Sequence, residues 1–212
     1  MKDSNKEKDE KLVDIDETGN PIEKKNKSVF DETTLKNLKL KSRVFLGPST
    51  HNAEKIENIV KNDVALVITE GSIVGDFTLS NLQPEGPFRI DSDEYIPDIK
   101  KLSDIAHKYN SYILLDLVHQ GLGATEQPAY SPSGDKGLIN QEIQSKELTK
   151  DDIIRIQDYF VQAAIRAKKA GYDGVEIHGA QLHLVSLFST KKYIVKIVII
   201  PLFKILIIYK NF

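Results

Sequence analysis

The stretch AAIRAKKAGYDGVEIHGAQLHLVSLFSTKKY, residues 163–193, decides the fold. It reads as the end of a helix, a tight turn, a buried strand and a polar strand end. Ala163, Ala164, Ala167 and Ala170 continue an apolar stripe begun by Ile153, Ile156 and Phe160, and alanines this small let a helix lie close to a sheet. Gly171 closes the helix, and Gly174 to His178 forms a strand. The helix begins at Thr149, whose hydroxyl can cap it while Asp152 answers the cap and Leu148 and Ile153 staple the turn.

The same alternation recurs upstream. Arg43-Val44-Phe45-Leu46, preceded by Leu35, Leu38 and Leu40 and closed by Gly47-Pro48, suits a first strand, and Ala53 to Asn62 a first helix. Val64 to Thr69 is a continuous apolar run ending at Glu70-Gly71, as a parallel strand covered on both faces requires. A loop containing Pro84, Gly86 and Pro87 follows, and Ile96, Ile99, Leu102, Ile105 and Tyr109 then recur at helical spacing up to Asn110. Tyr112 to Val118 is the third strand, which makes Gly174 to His178 the fourth. The connection from Gly121 to Gln144 has the length of a segment that carries function. Strands alternating with helices give right-handed βαβ units and a parallel sheet. That pattern alone fits half of a (β/α)8 barrel or a doubly wound sheet. No Gly-x-Gly-x-x-Gly or Walker lysine loop follows any strand, so the nucleotide-binding form of the second lacks its phosphate grip.

With 212 residues, 40% of them hydrophobic, the chain can bury one sizeable core, though a (β/α)8 barrel typically takes about 250 residues. A formal charge of -2 and a pI near 6.2 give no electrostatic reason to expect nucleic acid or an anionic membrane, and leave a small-molecule substrate as the expected partner. The chain has no cysteine, which excludes disulfides, thiolate metal sites and a cysteine nucleophile. Residues 1–27 mix both charges with few apolar side chains and are expected to be a disordered extension; lacking the apolar core of a signal peptide, they point to a cytoplasmic protein. The last segment, IVKIVIIPLFKILIIYKNF from Ile194 to Phe212, looks foreign: no acidic residue follows Glu176, and its residue types have A/T-rich codons. A frameshift or early stop near Tyr193 is the hypothesis that explains it, and fails if the downstream DNA encodes no continuation in any frame. A membrane span competes, but Lys196, Pro201 and Lys204 interrupt a run already shorter than the roughly 20 residues a span needs, and no membrane partner is expected.

In a (β/α)8 enzyme the active site lies at the C-terminal ends of the strands. Here those ends read Gly47-Pro48-Ser49-Thr50, Thr69-Glu70-Gly71-Ser72, Asp116-Leu117-Val118-His119-Gln120-Gly121 and Glu176-Ile177-His178-Gly179-Ala180-Gln181. All four in order, with Asn37 to Arg43 before the first strand, resemble motifs of the old yellow enzymes, the FMN-dependent NADH:flavin oxidoreductases. The resemblance runs from about Val29 to Tyr193, and Gly174-Val-Glu-Ile-His-Gly-Ala180 is its most specific piece. It implies an α/β fold of (β/α)8 TIM-barrel type, truncated to about the first four βα units, with a parallel sheet. Residues 28–193 would be the N-terminal half of an FMN-binding barrel and residues 194–212 a non-homologous hydrophobic tail. FMN would be the cofactor and NAD(P)H the reductant, with hydride passing to an activated alkene or another acceptor.

By the same resemblance, Pro48 and Thr50 would lie against the flavin, with the Thr50 hydroxyl near a ring carbonyl, and Gly71 would let backbone approach the ring. Asp116 stands where the family usually has a glutamine bonding the pyrimidine edge. His178 takes the first place of the family's substrate-binding pair, and Gln181 the second, usually His or Asn. His183 falls on the position of the proton-donating tyrosine. An ionised Asp116 only accepts hydrogen bonds and sets negative charge beside a flavin that becomes anionic on reduction, which makes reduction harder. Gln181 can still donate to a substrate oxygen, and His183, with an ordinary pKa of about 6.5, can act as general acid.

Blander roles compete. A histidine at a strand end is more often a hydrogen-bonded structural group than a catalyst, and Asp116 can serve as a cap for local backbone N–H groups. His119 is expected to support the loop after the third strand, and His51 and His107 to serve surface or packing roles. His178 and His183 stand five apart with no acidic third ligand at metal spacing, so no metal is expected. No serine sits in a nucleophile elbow, and no strand-end lysine supports Schiff-base chemistry. The phosphate grip of such barrels comes from the loops after strands seven and eight, and the family's flavin-side arginine lies on a later strand. Two functional outcomes follow: an oxidoreductase completed by a homodimer partner or a complementing C-terminal half, or a catalytically inactive fragment whose uncovered edges invite aggregation.

Overall fold

The computed structural model describes residues 28–75, 89–124, 129–137, 141–181, 183–188 and 207–208. The readings made for residues 1–27, for Pro84, Gly86 and Pro87, and for the tail apart from Ile207 and Ile208 lie outside these residues.

The chain opens with an antiparallel hairpin, β1 (Thr33–Leu35) and β2 (Leu38–Leu40), joined through Lys36 at φ 49° and Asn37. β3 (Phe45–Leu46), α1 (Ala53–Val60), β4 (Leu66–Ile68) and the two-residue β5 (Ser72–Ile73) follow. Next come α2 (Ile96–Lys108), led in by a 3-10 turn at Asp93–Tyr95, and β6 (Tyr112–Val118). A short pair, β7 (Tyr130–Ser131) and β8 (Lys146–Glu147), precedes α3 (Lys150–Lys169), β9 (Gly174–Ile177), α4 (Leu184–Leu187) and β10 (Ile207–Ile208). The hairpin, β5, β7, β8, α4 and β10 were not anticipated; the other strands and helices fall where the apolar runs put them, mostly trimmed at the ends, where hydrogen bonding frays.

The main sheet runs β10-β9-β6-β4-β3, with β5 also on β6. β3, β4, β6 and β9 are mutually parallel, and β10 pairs antiparallel with Val175 and Gly174. Register assigns the faces. Leu66 pairs with Tyr112, Leu114 with Gly174, and Asp116 with Glu176. Because side chains alternate along a strand, Tyr112, Leu114, Asp116 and Val118 share one face of β6, and Ile113, Leu115 and Leu117 the other. The second set packs with Val67 and Val175 against Ile56 and Val60 of α1, Ile99 and Leu102 of α2, and Phe160, Ala163 and Ala167 of α3. On the first face, Leu66 and Leu114 bury against Leu38 and Leu40 of the hairpin. That face is therefore apolar at the start of the strands and polar at their finish, where Asp116, Glu176 and, just beyond β9, His178 follow in phase.

The start of α3 carries the expected capping box: the Thr149 hydroxyl accepts from the Asp152 N–H, and the Asp152 carboxylate accepts from the Thr149 N–H. Gly171 leaves the helix at φ 83°, and the Ser103 hydroxyl of α2 donates to the Ala170 carbonyl at 2.5 Å, locking the end of α3 to its neighbour. Asp173 then holds the start of β9, its carboxylate accepting from the Ile113 N–H at 2.9 Å and meeting His107 Nε2 at 2.9 Å. No helix among the described residues is long and apolar enough to cross a membrane.

Candidate functional site at the strand ends

Asp116 lies next to the polar end of β6 and is 0% exposed. Its Oδ2 accepts from His178 Nδ1 at 2.8 Å. Cross-strand register makes this pair possible: Asp116 is level with Glu176, so the residue two further along β9 emerges on the same face one step higher. The Asp116 carboxylate hydrogen bond raises the His178 pKa above its ordinary value; burial opposes this, while charge on Asp116 and Glu176 and the Gln181 side chain reinforce it. Glu176 is itself pushed up, by burial first and by the charge on Asp116 second.

His183, at the N-cap of α4, packs its ring edge-on against His178 with centroids 4.7 Å apart. Its Nδ1–H donates to the Gln120 carbonyl at 3.2 Å. Burial is the main cause that lowers its pKa. The His183 ring is thus neutral at neutral pH with its proton on Nδ1, and its Nε2 accepts rather than donates. The expectation that His183 supplies a proton meets this obstacle. Two glycines set its position: a Cβ on Gly121, at φ 59°, would stand 2.6 Å from the Leu184 nitrogen, and one on Gly123 would stand 3.3 Å from His183 Nδ1.

The remaining predicted residues stand around this cluster with looser ties. Gly71 lies over it; a Cβ there would reach 3.1 Å from Val118 Cγ1 and 3.5 Å from Asp116 Oδ2. Thr50 is half-buried after β3, its hydroxyl accepting from the Asn52 N–H at 3.0 Å and its carbonyl from the Glu70 N–H at 3.4 Å, which ties the first strand end to the second. Pro48 and Gln181 are exposed, and Gln181 adopts φ 55°. The structure thus joins Asp116, His178 and His183 in direct contact and sets Gly71 beside them, while Pro48 makes no described contact with the cluster.

Of the other histidines, His119 is 1% exposed, and its Nδ1 accepts from the Gly121 N–H at 3.3 Å, so it supports the loop after β6 as expected. His51 is buried with Nε2 3.1 Å from Ser72 Oγ, tying the loop after β3 to β5. Burial lowers both, His51 to about 4 and His119 to about 3.

Four buried polar atoms at neighbouring strand ends have no hydrogen-bond partner among the described residues: Thr69 Oγ1, Asp116 Oδ1, Glu176 Oε2 and His178 Nε2. Unpaired buried polar groups are costly, so a cluster of them at neighbouring strand ends marks a candidate site. Thr69 and Glu176 were named at the strand ends in the sequence but given no role, although the two-residue spacing from Glu176 to His178 puts both on one face. No group of three or more His, Cys, Asp or Glu among the described residues could hold a metal. A cleft of about 720 Å³ at the opposite end, walled by Thr34, Lys39, Lys41, Asn110 and Tyr112, is lined by none of the orphaned atoms.

Known proteins resemble this chain in sequence and in fold. The profile of the NADH:flavin oxidoreductase / NADH oxidase family matches residues 28–196. An NADH oxidase of Thermoanaerobacter brockii is 31% identical over 183 residues, covering 78% of this chain and 28% of its own length. An NADPH dehydrogenase of Clostridium acetobutylicum is 34% identical over 174 residues, covering 76% of this chain and 50% of its own. Among solved structures, Old Yellow Enzyme from Pichia sp. AKU4542 superposes with a TM-score of 0.66 at 23% identity, over 77% of this chain and 48% of that one. The complex of TcOYE with pHBA does so with a TM-score of 0.60 at 25% identity, over 76% and 53%. These likenesses show the fold: a partial α/β fold of TIM-type (β/α)8 barrel class with a parallel sheet, the chain spanning about half the length of such relatives or less.

Proposed function

The chain belongs to the NADH:flavin oxidoreductase / NADH oxidase family, and from that premise we propose that it carries one half of an FMN site serving NAD(P)H-dependent reduction of an activated alkene or another acceptor. The observation that carries this is the row of orphaned polar atoms on Thr69, Asp116, Glu176 and His178, beside Gly71, whose backbone lies so close to Val118 and Asp116 that a Cβ would stand 3.1 Å from Val118 Cγ1. When bound, a flavin takes hydride from a reduced nicotinamide and releases it to an acceptor. Every other task falls to the protein. Gly71 admits the flat face of the ring, Thr50 offers its hydroxyl proton to a ring carbonyl, and Pro48 bounds the loop. Asp116 Oδ1, an acceptor, suits an N–H on the pyrimidine edge. His178 and Gln181 polarise an acceptor oxygen.

The negative charge of Asp116 does not stand alone, because His178 is paired with it at 2.8 Å. Its cost to flavin reduction is therefore smaller than an isolated carboxylate would impose.

Closing the barrel needs strands from outside the present sequence, provided by a second copy or by a complementing C-terminal half. A second outcome, a folded chain without flavin affinity, is favoured by the exposure of Phe45, 62%, on β3, which ends the described sheet. Titrating the purified chain with FMN, followed by visible absorbance and fluorescence quenching with size exclusion in parallel, decides between them. Saturable binding near one flavin per chain or per dimer is expected; a folded protein that leaves FMN fluorescence unchanged would overturn the proposal.

A further inference from the structure

Asp116 stands where the resemblance leads one to expect a neutral amide, and the structure gives its carboxylate a second occupation. It is fully buried, spends Oδ2 on His178 Nδ1 at 2.8 Å and keeps Oδ1 without a partner, while the far nitrogen of the same ring, Nε2, is also buried and meets no partner in hydrogen-bond geometry. The ring is held by the Asp116 carboxylate at Nδ1 and by the T-shaped contact with the His183 ring, centroids 4.7 Å apart.

We propose that Asp116 and His178 act as one carboxylate–imidazole dyad, in which the buried carboxylate orients the ring so that Nε2 presents the site's mobile proton to a carbonyl or anionic oxygen of the bound acceptor. His178 then handles the proton in this site, and His183 packs against it as its neutral support. Asp116 is a positioning residue. The choice of acceptor oxygen as ligand rests on the flavin-site proposal above, but the dyad does not.

The chemistry balances. With Nδ1–H on Asp116, the cationic ring carries a second proton on Nε2, and the neutral ring leaves a lone pair there. Were a bound flavin to supply hydride to the β-carbon of an enone, the C=C π pair would shift toward the carbonyl and negative charge would develop on its oxygen. Transfer of the His178 Nε2 proton to that oxygen would give the enol, which would tautomerise to the saturated ketone. His178 is left neutral and regains a proton from water. His183 cannot do this in its present pose, since its own proton sits on Nδ1 and is held by the Gln120 carbonyl.

The groups facing the His178 ring are Asp116 from β6, Glu176 from β9, and His183 and Gln181 from the segment after β9. Asp116 is the first cause of the raised proton affinity of His178, whereas burial lowers that of His183. The order of titration follows: as pH rises, His183 loses its charge first and His178 afterwards.

The test is ring-nitrogen NMR of the full, flavin-free chain across pH 5 to 9, a window of about two units either side of the ordinary histidine value. His178 is expected to hold protons on both nitrogens where His183 already shows the neutral, Nδ1-protonated pattern. Asp116→Asn should lower the His178 midpoint by about one pH unit or more, a tenfold loss of proton affinity, and Asp116→Glu should restore part of it. The dyad is overturned if His178 titrates together with or before His183, or if Asp116→Asn leaves its midpoint unchanged. Should Asp116→Asn fail to fold, the wild-type order of titration still decides. Because no flavin is present, failure to bind FMN and failure of the dyad are separate results.

Discussion

Gln181 sits at φ 55° without the freedom of glycine. Left-handed backbone at a non-glycine residue costs on the order of 1 kcal/mol, and asparagine tolerates it better than glutamine does. Gln181→Asn should stabilise the chain by about 0.5 kcal/mol, read as a rise in the urea midpoint; a fall would mean that the longer amide is held by contacts worth more than the strain. The buried histidines give a pH signature of the opposite kind. His51 and His119 are depressed to about 4 and about 3, so below the unfolded value of 6.5 the unfolded chain binds protons that the folded one refuses. Stability should fall as pH drops from 6.5 toward 4, by about 1–3 kcal/mol for each of the two at most. His178 works the other way: with its pKa raised, its contribution is complete below 6.5 and disappears as pH rises through the folded value. Urea unfolding at pH 7 and pH 5 measures the sum, with the two buried rings expected to dominate. Replacing His51 with Gln, which needs no proton at low pH, should flatten the loss.

Among the elements, α3 shows what sequence can tell. Thr149, Asp152, the apolar stripe and Gly171 all lie within the element they define, so its ends could be read directly, and the structure places it at Lys150–Lys169. Thr149→Ala removes a hydroxyl that satisfies a helix N–H and should cost about 1 kcal/mol in thermal or urea unfolding, with Thr149→Ser close to neutral. No change in Thr149→Ala would mean that Asp152 sustains the cap alone. The β1–β2 hairpin was missed for a physical reason: its two-residue turn is Lys36-Asn37, without the glycine that marks such turns most clearly, and its strands are three residues each. β5, β7 and β8 are shorter still and exist only because a neighbouring strand end offers hydrogen bonds. The site divides along the same line. His178 and Asp116 could each be picked from strand-end position, but their pairing depends on the register of β6 against β9, which no local pattern encodes. Glu176, already named at its strand end, gained a place beside Asp116 only once that register was known. The pose of His183 depends on Gln120, 63 residues earlier, and on two glycines that leave it room.

In the molecule as a whole, the sheet, three flanking helices and the hairpin divide the labour between two faces. Apolar side chains of the outward face bind the helices, those of the inward face seat the hairpin, and the inward polar rim is left for chemistry. β6 is central to all of it. It bonds to β4, β5 and β9, it is the longest strand among the described residues, and it ends in the buried segment that holds Asp116 and His119. A strand hydrogen-bonded on both sides can release its amide protons only when its neighbours open too. In heavy water, therefore, the peptide spanning Tyr112 to Val118 should be the last to gain mass, and those spanning the two hairpin strands and the β7–β8 pair among the first. If the hairpin lagged behind the central strand, the molecule would open from the middle outward. If β6 lags, the acid–base pair is anchored in the part of the protein that forgets its protons most slowly, and its geometry outlasts the fraying of everything around it.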